Sequence, residues 1–249
     1  MAINFKFLAI FLTILVLALW LGFIVARSIL GPQAARRNLF YSGPWLMAGG
    51  AIALALSFIG RYGLIALYAL YALGVFTWLL SWPTRKKKSG ELKLEIGRTN
   101  QNKILFWIGL FQTGLAIVMT FSLLDQLTGP LVTTGGLMSG IAELAFWWAI
   151  AALFIMLGLS DLEIRENGLS YLYAWQPWDR IEAFGWDDDK PNTLILKVLP
   201  RTLFSRKYVT LNIPSAQKEA VDQLIDDYIS EADLAAEMDG KTGSNVETV

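Results

Sequence analysis

Two hydrophobic rhythms divide the chain. Up to Ser160 the apolar residues come in long unbroken runs. Phe7 to Ala26 is interrupted only by Thr13 and Gly22, and about 20 such residues, rising 1.5 Å each, cross the ~30 Å hydrocarbon core of a bilayer. A cleavable signal would have a shorter apolar core behind a basic start. Here Arg27, Arg36 and Arg37 follow the run, so an anchor is expected. Pro44 to Trp82 is apolar except near Gly60-Arg61-Tyr62-Gly63. Two glycines around an arginine predict a tight turn and hence spans at 44–59 and 64–82, a single tilted or re-entrant segment being the alternative. Ile104–Leu124 and Leu137–Leu159 complete five expected spans.

After Ser160 the period drops to two. Leu162 and Ile164 alternate with charges, Glu166-Asn167-Gly168 signals a turn, and Leu169, Tyr171 and Tyr173 continue the alternation. Further strands are expected around Ile181–Trp186, Thr193–Val198 and Tyr208–Ile213. Val221, Leu224, Ile225, Tyr228 and Ile229 then recur at helical spacing, with Ser215 after Pro214 as the expected N-cap. The fold expected is a transmembrane region over 1–160 followed by a small α+β domain over 161–230. That domain is an antiparallel meander closed by one helix, and 231–249 forms a polar tail.

Composition agrees with a bilayer: 55% of the 249 residues are hydrophobic and 17% charged, where soluble domains carry roughly 25% charged residues. The net charge of zero hides a split. Residues 1–160 hold twelve basic and four acidic side chains, a net of +8, and 161–249 hold nine and seventeen, a net of −8. Lys and Arg concentrate in 27–43 and 83–103, which five spans place on one face. That face is therefore the cytosolic one, with the N-terminus outside and 161–249 inside. Trp45, Trp82 and Trp107 fall at the same interface, where aromatic belts form. The chain has no Cys and no His, which excludes disulfides, thiol or histidine catalysis and zinc sites of the usual ligand sets. No catalytic residue, cofactor or metal site is expected.

The run E-N-G-L-S-Y, then W-D-R-I-E-A-F-G-W, L-I-L-K-V and K-Y-V-T-L-N-I-P before the closing helix, resembles a cytosolic domain of uncharacterised multi-pass membrane proteins of cyanobacteria and Firmicutes. That family is catalogued as a domain of unknown function. Trp178, Ile181 and Trp186 carry most of the resemblance, which covers 161–230. It implies a pleckstrin-homology-like fold and a photosynthetic bacterial source, and transfers no catalytic residue.

Several residues are candidates for function. Glu143 is the only acid inside an expected span, and a charge there costs about 2.5–3.5 kcal/mol on insertion scales. Thr13, Ser57 and Thr120 lie at similar depth, and Arg61 could reach it. Glu143 either handles a proton or cation, contacts a partner, or, protonated or paired with Arg61, only fixes helix packing. Gly49, Ala53 and Ser57 repeat every fourth residue, a spacing that lets helices approach closely or receives a pigment or lipid tail. Arg85, Lys86, Lys87 and Lys88 directly follow a span. They serve as its topological stop or dock onto the acidic domain, for instance at Asp187, Asp188 and Asp189. Those three Asp show no regular ligand spacing and fit a solvated turn. Leu203 and Phe204, flanked by Arg201, Arg206 and Lys207, form an apolar loop that dips into headgroups, docks a partner or faces the core. The net −8 of the domain disfavours nucleic acid and anionic headgroups.

The function expected is therefore a non-catalytic scaffold, assembly or regulatory factor of a bacterial inner or thylakoid membrane. It would contact lipids and dock a protein partner at the cytosolic face. The alternatives are a transporter or channel component using Glu143 and, third, a membrane-embedded lipid enzyme.

Overall fold

The long apolar runs form helices, because in a hydrocarbon layer each backbone N–H and C=O must be bonded within its own segment. The computed structural model describes residues 5–57, 59–128, 134–188, 190–200 and 207–228. The chain divides into two units, one of 1–85 with 100–160 and the other of 86–99 with 161–249.

The first unit is helical: α1 (Phe5–Leu30), α2 (Pro32–Ser57), α3 (Arg61–Leu80), the beginning of the short α4 (Trp82–Lys87), α5 (Asn100–Thr128) and α6 (Thr134–Leu159). Among the described residues, four stretches are long and apolar enough to cross a membrane: Ala35–Leu56, Tyr62–Lys87, Asn100–Thr128 and Thr134–Leu159. The turn expected near residue 60 is present. Gly60 sits at φ 80°, in the left-handed region where a side chain is strained, and α3 starts at the next residue. The helix that contains the expected second span, α2, begins at Pro32 and runs through Pro44. Proline suits the first helical turn, and within an apolar helix one missing N–H can be absorbed by its surroundings. Residues 32–43, expected as a loop, are helical.

α5 and α6 pack as a hairpin through small residues. A Cβ added at Gly158 would lie 2.5 Å from the backbone N and Cα of Phe106, and one at Gly109 would lie 2.7 Å from the backbone N of Ile155. Ala116 and Ala149 are fully buried in the same pair. Of the stripe Gly49, Ala53 and Ser57, Gly49 is exposed and a Cβ there meets nothing within 4 Å among the described residues, Ala53 is half-buried, and the side chain of Ser57 lies outside the described residues. Asn102, wholly buried, donates from Nδ2 to the carbonyls of Leu157 (2.9 Å) and Ser160 (2.8 Å), satisfying acceptors that the end of α6 leaves open. α3 meets α6 where Tyr68 and Tyr71 each place their rings 5.0 Å from Phe146.

The second unit holds two antiparallel sheets. The first has the order β1 (Leu92–Gly97), β2 (Leu162–Arg165), β3 (Gly168–Tyr171), β4 (Ala174–Pro177), and the second the order β5 (Ile181–Trp186), β6 (Thr193–Val198), β7 (Tyr208–Asn212). A 3₁₀ turn over Ser215–Gln217 leads into a helix, α7, over 218–228, so the helix starts after the N-cap expected at Ser215. Ile96, Leu162, Ile164, Leu169, Trp178, Ile181, Leu194, Leu196, Leu211, Val221 and Ile225 share one core. Trp178 stacks on Tyr228 at 4.9 Å and 10°.

In two respects this unit differs from the expected domain. The compact unit takes in more than the expected 161–230: β1 comes from the segment between two apolar runs and pairs with β2 from Leu92↔Arg165 to Gly97↔Leu162. The whole α5–α6 hairpin is thus inserted in the chain between two adjacent strands. With 86–99 included, the unit carries fourteen basic and nineteen acidic residues, a net of −5 rather than −8. The alternation from Leu169 to Tyr173 does not make one strand. Tyr171 pairs with Ala174 across a two-residue turn, Leu172 at φ 49° and Tyr173 at φ 58°. Positive φ at both central residues is the type I′ signature, normally filled by Asn-Gly, and a left-handed conformation costs a bulky residue roughly 1–2 kcal/mol.

Candidate functional site

Two places gather polar chemistry, one in each unit. In the second unit the alternation of β2 sets Glu163 between Leu162 and Ile164, and its neighbours leave it only 8% exposed. A buried carboxylate is costly unless paired and hydrogen-bonded. Glu163 is both: Lys86 Nζ donates to Oε1 at 2.8 Å and Arg165 Nε to Oε2 at 2.7 Å. Burial pushes the Glu163 carboxyl up, but the hydrogen bonds and charges of Lys86 and Arg165 outweigh it and hold the group below its ordinary value. It is therefore ionised at neutral pH. Around this pair the segment before β1 is bonded to the sheet. Arg165 Nη1 donates to the Gly90 carbonyl (2.9 Å), the Glu166 N–H to the Glu91 carbonyl (2.9 Å), and the Asn167 N–H to the Ser89 carbonyl (3.0 Å). The cluster ties the segment before β1 to β2 and acts as a clamp.

The basic run is divided among different tasks. Within the helical unit, Arg85 donates to the Trp78 carbonyl and lies 5.0 Å from the ring centroid of Trp78 and 5.4 Å from that of Trp82, a cation–π arrangement. Lys86 does meet an acid of the domain, but that acid is Glu163. Lys87 and Lys88 are exposed. At the expected site, Asp187 to Asp189, the described contacts of Asp187 are local. Asp187 is buried and closes its own turn, its N–H donating to the Thr193 carbonyl (2.9 Å) and its Oδ1 accepting from the Lys190 N–H (3.3 Å). Asp188 is exposed and Asp189 lies outside the described residues. Leu203, Phe204 and Arg206 also lie outside them, and Lys207 is exposed at the edge of β7. Among the described residues no group of three or more acids could hold a metal ion.

In the helical unit Glu143 lines a cleft of about 270 Å³ between α5 and α6, together with Ser122, Gln126, Ser139 and apolar Met119 and Leu123. It is half-buried. One turn deeper, Trp148 Nε1 donates to Thr120 Oγ1 at 3.2 Å, joining the two helices. A carboxylate beside two hydroxyls and an amide can accept hydrogen bonds from a cationic or hydroxylic group, or hold water. Thr13 is an exposed residue of α1, and Ser57 and Arg61 are the last of α2 and the first of α3, with side chains outside the described set. The described atoms thus bring Glu143 together with Ser122, Gln126 and Ser139, none of which stood out in the sequence.

Sequence reasoning also missed Glu163, Arg165 and β1. A signal for β1 was there: Leu92, Leu94 and Ile96 alternate with Lys93 and Glu95, the period of a half-buried strand.

Residues 160–230 match the model of a family described as a domain of unknown function (DUF5673). This agrees with the expected C-terminal domain of unknown function. The match takes in β2 to β7 and α7 but not β1, which lies on the other side of the α5–α6 hairpin. No curated protein and no solved structure matches the chain.

Proposed function

We propose that this chain is a five-span protein of a bacterial inner or thylakoid membrane, with its N-terminus outside, that presents a pleckstrin-homology-like domain to the cytosol. It acts there as a non-catalytic scaffold, assembly or regulatory factor docking a protein partner. A four-stranded and a three-stranded antiparallel sheet closed by a C-terminal helix support the fold assignment. Lys and Arg gathered in 27–43 and 83–103 support the orientation, and the 26-residue α1 supports the fifth span.

The observation that carries the role is the threading of the domain. Two residues join β1 to α5, and two join α6 to β2, so the domain is mounted at several chain crossings. A domain assembled in this way from two separated chain segments, paired through β1 and β2, supports a docking role. The test is affinity purification of the tagged full-length protein from its native membranes in mild detergent, beside a variant lacking both 88–98 and 161–249. A stoichiometric partner lost with the deletion is expected; a solitary full-length protein would overturn the scaffold role.

The Glu143 cleft favours a second reading, a transporter or channel component. Glu143→Gln then abolishes flux of a cation or proton in reconstituted vesicles, whereas a scaffold keeps its partner.

A further inference from the structure

In the first sheet, Gly97 pairs with Leu162 and Tyr171 with Ala174, so these four residues share one end. Chain connectivity ties that end to two apolar helices. Gly97 is three residues from the start of α5, and Leu162 three residues from the end of α6, a reach of about 10 Å at most. Thr99 Oγ1, between β1 and α5, is 2.9 Å from the Tyr171 hydroxyl, so the β3–β4 turn stays beside that exit. The turn itself reads Tyr171-Leu172-Tyr173-Ala174-Trp175, with no charge. Its two left-handed positions hold bulky apolar residues where Asn-Gly would be free of strain. Leu172 remains half-buried and Ala174 exposed.

Of the two strained positions Tyr173 is buried within the protein at 8% exposure, whereas Leu172 keeps part of its apolar side chain open, and strain kept at such a position accompanies function. α5 has 29 residues, about 43 Å at 1.5 Å each, which covers the hydrocarbon core and the headgroup layers together. Where α5 crosses the bilayer, the three-residue link keeps Gly97 within about 10 Å of the headgroup level, where Tyr and Trp are enriched. We infer that the β3–β4 turn, Leu172 at its tip with Ala174 beside it, is seated in the lipid headgroup layer as an interfacial anchor of the second unit. The inference rests on α5 and α6 crossing the membrane.

The chain lacks cysteine, so single cysteines can be spin-labelled cleanly in the full-length protein reconstituted in vesicles. Labels at Leu172→Cys and Ala174→Cys test the turn. Glu166→Cys, exposed at the opposite end of the hairpin, is the aqueous control. Val118→Cys, 62% exposed on α5, is the lipid control. Accessibility to oxygen, which partitions into lipid, is compared with accessibility to a water-soluble nickel chelate. The expected result is an oxygen-to-nickel ratio several-fold higher at 172 and 174 than at 166. Nickel accessibility at 172 and 174 matching 166 would overturn the anchor, as would low accessibility to both reagents, which would mean that protein covers the turn. Water-like behaviour at 118 would instead overturn the spanning of α5 on which the inference rests. Ala174, already exposed, keeps the test valid should Leu172→Cys disturb the turn.

Discussion

Removing β1 from the domain that follows α6 should come close to unfolding it. Ile96 lies in the core at 6% exposure and Leu94 packs against that core. Burying a side chain such as Ile96 contributes roughly 1.5–3 kcal/mol, and half-burying Leu94 about half as much. The β1–β2 ladder extends over Leu92↔Arg165 to Gly97↔Leu162, and at roughly 0.5–1.5 kcal/mol per backbone hydrogen bond it adds a few kcal/mol more. Taken together the loss is about 6 kcal/mol, against total stabilities of roughly 5–15 kcal/mol for whole domains. It also exposes the edge of β2, whose Leu162 and Ile164 are wholly buried. The comparison is between 161–230 alone and 86–99 joined to 161–230 by a linker of about 4–6 Gly and Ser residues, a common hairpin length. Urea unfolding is followed by tryptophan fluorescence, with Trp178 on Tyr228 as a reporter inside the core. The joined form should unfold cooperatively, with a midpoint at least about 2 M higher. Equal midpoints and equal cooperativity for the two would refute the reasoning.

The remaining predictions concern single residues. Glu163→Gln should destabilise the second unit by about 1–3 kcal/mol through its charged hydrogen bonds. Because the folded carboxyl is held below its unfolded value, its stabilisation is complete above that value and is lost as pH falls through the folded one. Acid-unfolding curves of the variant should be correspondingly flatter. Burial pushes the Tyr171 hydroxyl up to about 12, so its contribution is complete below the unfolded value of 10 and is lost as pH rises toward 12. Tyr171→Phe should remove that alkaline loss and cost about 1 kcal/mol at neutral pH, for the bond to Thr99. Gly158→Ala forces a methyl group onto the Phe106 backbone and should cost about 1–3 kcal/mol or more. Gly114→Ala, where a Cβ meets nothing within 4 Å, should leave thermal stability in detergent unchanged or slightly raised.

The apolar helices, the turn at residue 60 and the period-2 strands after Ser160 were legible because each depends on neighbours a few residues apart. Of the candidate chemistry, Glu143 was visible as a lone acid in an apolar run. Ser122, Gln126 and Ser139 were not, since only the pairing of α5 with α6 sets them around it. The same holds for Lys86 and Glu163, which are 77 positions apart and 2.8 Å apart in space. The small-residue spacing at Gly49, Ala53 and Ser57 marks an approach that any helix pair could make. Close contacts are seen at Gly109 and Gly158, because packing is chosen by the partner surface as well as by the spacing.

By itself the sequence determined where hydrocarbon-compatible helices form and where strands begin, since burial periodicity is written locally. It also excluded thiol and histidine chemistry through the absence of Cys and His. Only the tertiary structure decided that 92–97 is the first strand of the domain, that Arg85 and Lys86 take separate partners, and that Leu172 and Tyr173 turn the chain instead of extending it. Strand pairing and ion pairing are non-local. A segment separated from its partner by the whole α5–α6 hairpin carries no mark of that partner until the chain brings the two together.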